Sequence, residues 1–397
     1  VIDGAGVARA FRCADPADAG RIGPDAAFEI GSVTKTMAAI LLAERILQGE
    51  VSLDDPLADH LPDGTAVPAY EGQPILLRHL VTHTSGLPRL PSRLSMTNPG
   101  DPYADFDSAA LLGSLEDVTL AQAPGEAFEY SNFGSMLLSL VVARQAGVDF
   151  ERLLDERLFS PLGMEGAYVS SPPDGVRPAA GHLPNGEQTP PWTFADELAG
   201  VGGVRATLED MVRYARAQLG GVDGALGEAI ALAQRPIETG ASQPMAMNWV
   251  LLPIGERLVH AHDGGTGGFS SMIAFDTRDG RAVVVMADTG LSATGGVSDV
   301  VGHLMDDSIP LSAPRRPVER RAGASAPSAE ALRDYAGTYP LVPGFDLTVR
   351  ERDGVLHAQA SGQGEFALDP VAQDVFAAPD YDIEIEFHRD DAGEVVK

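Results

Sequence analysis

The sequence predicts an α+β fold: an antiparallel sheet flanked by helices and carrying a helix-rich insertion, plus a small antiparallel β module at the C-terminal end. Three observations predict it. RLVHAHDGG (257–265), FSSMIAFD (269–276) and RAVVVMAD (281–288) read as successive strands, the last two joined by the turn TRDG, which makes an antiparallel meander. Apolar residues recur at helical spacing over 33–48, 134–146, 208–219 and 296–306. Finally, PLSAPRRPVERRAGASAPSAE (310–330) has no apolar period and is rich in proline, arginine, alanine and serine, as a linker is. The expected division is a first unit over 1–309, a linker over 310–328 and a small β module over 329–397.

In chain order, VIDGAGVARAF at the start reads as the middle of a strand, so any export signal belongs before residue 1. FEIGSVTKTMAAILLAERILQGE (28–50) opens as a strand, turns at Gly31 and continues as a helix with Met37, Ile40, Leu41 and Ile46 on its apolar side. The middle third, rich in helices and loops, is the insertion. Beyond the linker, DLTVRER (346–352), VLHAQA (355–360) and IEIEF (383–387) alternate apolar and polar residues between Gly, Pro and Asp turns.

A chain of 397 residues with 44% apolar content has material for a large core. No apolar run approaches the roughly 20 residues that cross a bilayer. A formal charge of −29 argues against nucleic acid or an anionic membrane surface as partner, since basic patches are what those attract. The single cysteine, Cys13, excludes an intrachain disulfide and reads as a small buried or half-buried residue.

Lysine is the informative residue. The chain has two, Lys35 and Lys397, against 26 arginines. Arginine stays protonated in proteins, whereas a desolvated lysine can lose its proton and act as a base. Lys35 stands three residues after Ser32 at the junction of turn and helix, so its amine can reach the serine hydroxyl and activate it as a nucleophile. The helix N-terminus favours an oxyanion there and disfavours a protonated amine. A capping serine followed by a surface lysine is the plain alternative. Two further segments weigh against it. Tyr130-Ser131-Asn132 precedes an apolar helix and is the only Tyr-x-Asn among eight tyrosines; His262-Asp263-Gly264 lies at a strand edge and is the only His-x-Gly among nine histidines.

With these motifs in this order, the chain resembles the serine β-lactamase and penicillin-recognising hydrolase family, in particular its class C β-lactamase, D-aminopeptidase and family VIII carboxylesterase branch. FEIGSVTK, LVTHTSGLP (80–88), PGEAFEYSN, SPLGM (160–164), GGVRATLEDMVRYARAQL and HDGGTGGF carry the resemblance over about 25–309, and the C-terminal module looks like a shortened form of the lipocalin-like domain appended to some members. The resemblance implies a β-lactamase/transpeptidase-like fold and an acyl-enzyme mechanism without metal or other cofactor. It implies Ser32 as acylated nucleophile, Lys35 as proton acceptor or as the cation that tunes Tyr130, and Tyr130 as the relay to the leaving group and activator of water. Asn132 is expected to bind the substrate acyl chain or hold Lys35, His262 and Gly264 to line the substrate strand, and the backbone N–H groups of Ser32 and Gly265 to form the oxyanion hole.

The third motif departs from the pattern. Many members have Lys-Thr-Gly or Lys-Ser-Gly where this chain has His262-Asp263-Gly264, so a cation becomes a residue mostly neutral at pH 7 and a hydroxyl becomes an anion. The His-x-Gly variant resembles D-aminopeptidases and many esterase-like members, and that resemblance implies an ester or D-amino acid amide substrate ahead of a β-lactam. The alternatives are a β-lactamase or DD-peptidase, an acyltransferase using another acceptor, and a noncatalytic scaffold. His79 and His83, four apart, lack the intervening Glu of a metalloprotease; aspartates 54, 55, 59, 101, 105 and 107 fit solvated loops; and no Gly-x-Ser-x-Gly elbow occurs.

Overall fold

The computed structural model describes residues 1–13, 20–95, 98, 100–254, 257–290, 297–311, 327–342, 345–360, 365–378, 383–390 and 393–396. The greater part of the expected linker, 312–326, lies outside the described residues.

The meander forms as expected. Arg257–Gly265, Ser270–Asp276 and Arg281–Ala287 are antiparallel neighbours, with Gly265 opposite Ser270 and Asp276 opposite Arg281. Gly280 closes the TRDG turn in the left-handed region at φ 61°. Val250–Ile254 adds a strand on one side, and Ile2–Asp3 with Gly6–Val7 complete six strands on the other. The chain start is thus a hairpin and not the middle of a strand. Gly4 and Ala5 form its turn, in which the Ala5 N–H donates to Asp3 Oδ1 at 2.9 Å and Gly6 takes φ 128°.

Strand alternation gives the sheet two faces. Val259, Ala261, Met272, Ala274 and Val283 pack against Val301 and Met305 of the helix Ser298–Met305. Leu251, Ile273 and Phe275 face the main core, which contains the helix Thr34–Leu47. That helix is buried without a break from Thr34 to Ala43. Asn132–Ala146 is likewise buried from Phe133 to Ala143, as expected of a helix that is apolar all round. The helix Leu208–Gln218 begins with a capping box: Thr207 Oγ1 accepts from the Asp210 N–H at 3.2 Å, and Asp210 Oδ2 accepts from the Thr207 N–H at 2.9 Å.

The C-terminal residues form a separate six-stranded antiparallel meander in sequence order, from Gly337–Val342 to Ile383–Glu386. Its own core includes Leu347, Val349, Leu356, Leu368 and Phe376.

One contact fixes the catalytic geometry described below. The end of Arg257–Gly265 is pressed onto the turn before Thr34–Leu47, where Ser271 Oγ donates to Ile30 O at 2.8 Å. A Cβ on Gly264 would fall 2.1 Å from Ile30 O and 2.6 Å from Ser271 Oγ. Gly264→Ala is therefore expected to destabilise the protein by about 3 kcal/mol. Gly4→Ala, whose added Cβ meets nothing within 4 Å, is expected to change the urea midpoint little. Equal midpoints for the two variants would contradict this packing.

Candidate active site

The strand Ala26–Glu29 is buried along its length and pairs with Arg205–Thr207. Gly31, at φ 49°, turns the chain out of it. A Cβ there would meet Gly265 N at 2.7 Å, so the position requires glycine on grounds of both conformation and space. Gly31–Val33 then makes one 3-10 turn into the helix, and Ser32 sits in it without capping any backbone group. Lys35 is fully buried, with its Nζ 2.8 Å from Ser32 Oγ and donating to Val201 O at 2.6 Å. The plain alternative of capping serine and surface lysine fails on both residues.

Burial holds the Lys35 amine well below the ordinary lysine value of 10.5; the Arg89 charge pushes the same way and Asp263 opposes it. A neutral amine that donates to Val201 O has a lone pair left to accept from the Ser32 O–H. That is the arrangement of a base beside its nucleophile.

Tyr130 approaches from the loop before Asn132–Ala146. Ser131 caps this helix, accepting from the Gly134 N–H at 2.9 Å and donating to Pro88 O at 2.8 Å. The Tyr130 phenol is raised above its ordinary range by desolvation, against a hydrogen bond with Ser32 that lowers it. It is thus a neutral O–H group beside Ser32. Lys35 Nζ and Arg89 Cζ each lie 5.2 Å from the centre of its ring.

His262 is buried on the core-facing side of Arg257–Gly265. Its Nδ1 lies 2.6 Å from Asp263 O. A carbonyl only accepts, so Nδ1 carries the proton and Nε2 is left as a bare acceptor. Burial pushes the imidazole down to about 4, with Asp263 opposing and Lys35 adding to the effect. Asp263 is exposed, on the strand face opposite His262, as alternation along the strand implies. The third motif therefore turns an uncharged imidazole to the core-facing side and its anion to the other face of the strand.

Ser32, Asn132 and Gly265 line one cleft. Asn132 does not hold Lys35, whose amine is engaged by Ser32 and Val201. Its side chain instead bonds the Tyr103 hydroxyl, and Oδ1 is buried without a partner among the described residues. The remaining wall was not legible in the sequence: Tyr103 stacks on Phe194 at 4.9 Å and meets Trp192 edge-on at 5.3 Å. Glu29, just before the nucleophile turn, accepts from the Trp192 N–H at 3.0 Å and from Arg205 at 3.1 Å, tying this wall to the catalytic strand.

His79 and His83 diverge. His79 Nδ1 accepts from the Leu76 N–H at 3.0 Å and caps a short helix. His83 is buried beside Tyr130 at φ 54°, with its Nε2 unpartnered among the described residues. Left-handed strain costs of order 1–3 kcal/mol, and an orphaned buried donor costs about 1–3 kcal/mol. Two such penalties at one residue mark a position kept for something other than stability.

Lys35 itself yields a test. Below pH 10.5 an unfolded lysine is protonated while the buried one resists protonation. The unfolded state then binds more protons, and wild-type stability rises with pH between the folded-state value and 10.5. Lys35→Met removes that slope. The variant's stability relative to wild type is expected to be greater at pH 7 than near pH 10, while its activity falls by about 10³-fold or more. An equal difference in urea midpoint at both pH values would contradict the assigned burial of the amine.

Comparison with known proteins places this geometry. The family described as Beta-lactamase matches residues 1–299, and a domain of unknown function, DUF3471, matches 321–397. The D-alanyl-D-alanine-carboxypeptidase/endopeptidase AmpH of Escherichia coli (strain K12) is 29% identical over 300 residues, covering 71% of this chain and 76% of that protein. Penicillin-binding protein 4* of Bacillus subtilis (strain 168) is 25% identical over 391 residues, covering 91% and 82%. Among solved structures, a β-lactamase/D-alanine carboxypeptidase from Yersinia pestis complexed with citrate superposes with a TM-score of 0.60 at 24% identity, over 72% of this chain and 85% of that one. With its buried Ser-x-x-Lys pair, its Tyr-x-Asn segment and its glycine-lined strand held on that fold, the chain belongs to the β-lactamase family.

Proposed function

We propose that this protein is a serine hydrolase that works through an acyl-enzyme formed on Ser32 and requires no cofactor. The observation that carries the reading is the fully buried Lys35 amine 2.8 Å from Ser32 Oγ. Lys35 takes the Ser32 proton as Oγ attacks the acyl carbonyl, and the backbone N–H groups of Ser32 and Gly265 receive the oxyanion. Tyr130, kept protonated by its raised pKa, gives its proton to the departing alcohol or amine and is reprotonated from the Lys35 ammonium. Water then attacks the acyl-serine with Lys35 again accepting the proton, Lys35 returns that proton to Ser32 Oγ as the C–O bond breaks, and the acid product leaves. The upward shift of Tyr130 and the downward shift of Lys35 argue for lysine as base and tyrosine as acid.

The preferred substrates are esters and D-amino acid amides whose leaving group carries no carboxylate. The uncharged His262 imidazole supplies no cation to a carboxylate on that side of the cleft, and Asp263 lies on the other face of the strand. A second reading, hydrolysis of β-lactams or cell-wall peptides, is favoured by the names of the relatives and by Arg89, a cation 5.2 Å from the Tyr130 ring centre.

Purified protein should be compared on p-nitrophenyl butyrate, nitrocefin and a D-alanine p-nitroanilide, with Ser32→Ala as control. Turnover of ester or anilide above nitrocefin by about 100-fold or more in kcat/KM is expected, and Ser32→Ala should be inactive yet folded. Nitrocefin as the best substrate would establish the second reading, and an active Ser32→Ala would overturn both.

A further inference from the structure

We infer that His83 is the positioning residue for Tyr130: it holds the phenol where the proton must be delivered to the leaving group. The inference rests on the roles proposed above for Ser32 and Tyr130. The residues on both sides of Tyr130 are anchored to His83. The Glu129 N–H donates to the His83 carbonyl at 2.8 Å, and the Ser131 N–H donates to His83 Nδ1 at 3.2 Å. Between these anchors the Tyr130 ring lies on the imidazole, with centroids 4.4 Å apart and planes 29° apart, while Phe128 meets the imidazole edge-on at 6.0 Å. One residue therefore grips the Tyr130 segment by backbone, by ring nitrogen and by ring face.

The left-handed backbone at φ 54° lets the carbonyl and the side chain of the same residue reach one segment. Because Nδ1 accepts an amide N–H, the imidazole is the neutral Nε2–H tautomer. A ring protonated on Nδ1 would oppose donor to donor and release Ser131. Burial disfavours that form, and the Arg89 cation adds to the effect.

The test uses the leaving group. p-Nitrophenolate departs without protonation, whereas an alkoxide needs an acid in place. His83→Ala, His83→Asn and the benchmark Tyr130→Phe are assayed on an ethyl ester and a p-nitrophenyl ester of the same acid, with active sites counted by fluorophosphonate labelling. In His83→Ala, the ratio of ethyl to p-nitrophenyl turnover is expected to fall about 10-fold or more, in the direction set by Tyr130→Phe. His83→Asn tolerates the left-handed backbone and keeps an acceptor for the Ser131 N–H but has no ring, so an intermediate ratio is expected. It also serves if His83→Ala does not fold. A ratio equal to wild type per labelled site, whether both rates fall together or neither does, would overturn the inference. Failure of the active-site reading itself shows separately, as an active Ser32→Ala or as wild type that does not label at Ser32.

Discussion

The structure is organised around the cost of burying one amine. An ammonium in an apolar helix is unfavourable by several kcal/mol, so Lys35 is tolerated only as a group that can shed its proton and find hydrogen-bond partners. The two partners come from different parts of the chain: Ser32 from the turn one residue after a left-handed glycine, and Val201 O from the 3-10 segment Asp196–Val201. The long apolar run of Thr34–Leu47 keeps water away from the stem. The strand Arg257–Gly265 closes the remaining side, and Gly264 allows backbone to approach backbone where a side chain would intervene.

From that constraint follows the layout of charge. Burial disfavours the charged forms of Lys35, His262 and Tyr130 alike, which is the pattern the proposed roles of lysine as base and tyrosine as acid call for. The fixed charges, Arg89 beside the Tyr130 ring and Asp263 on the far face of the strand, bias Lys35 in opposite directions. Replacing a motif lysine by His262 removes a cation from the leaving-group side without disturbing the strand, because the imidazole satisfies its Nδ1–H on the neighbouring carbonyl.

Much of this was legible in the sequence because the information is local. Ser32 and Lys35 meet through a three-residue helical offset, Ser131 announces its helix as a cap, and the meander shows in the period-two pattern and the TRDG turn. Two copies of lysine among 28 basic residues pointed to Lys35 before any contact was known. What could not be read is long-range. Trp192 and Phe194 lie in a loop without periodicity and join Tyr103 only through folding, with Glu29 as the tether. His83 was visible as half of a His pair at helical spacing and as part of LVTHTSGLP, neither of which points to Tyr130. The helix ends at Val81, and the left-handed turn two residues later sends His83 to Tyr130, away from His79. At the chain start, strand propensity lost to the turn chemistry of Asp3 and Gly4.

The most direct measurement of the central claim exploits the scarcity of lysine. Protein labelled with ¹³Cε-lysine gives signals from Lys35 and Lys397 alone, and Lys35→Met assigns them. Followed from acid to alkaline pH, the Lys35 signal should titrate well below 10.5, with the amine neutral in the resting enzyme. A Lys35 signal that titrates at the ordinary lysine value would contradict it: the amine would then be a cation at working pH, and the base that activates Ser32 would have to be another group.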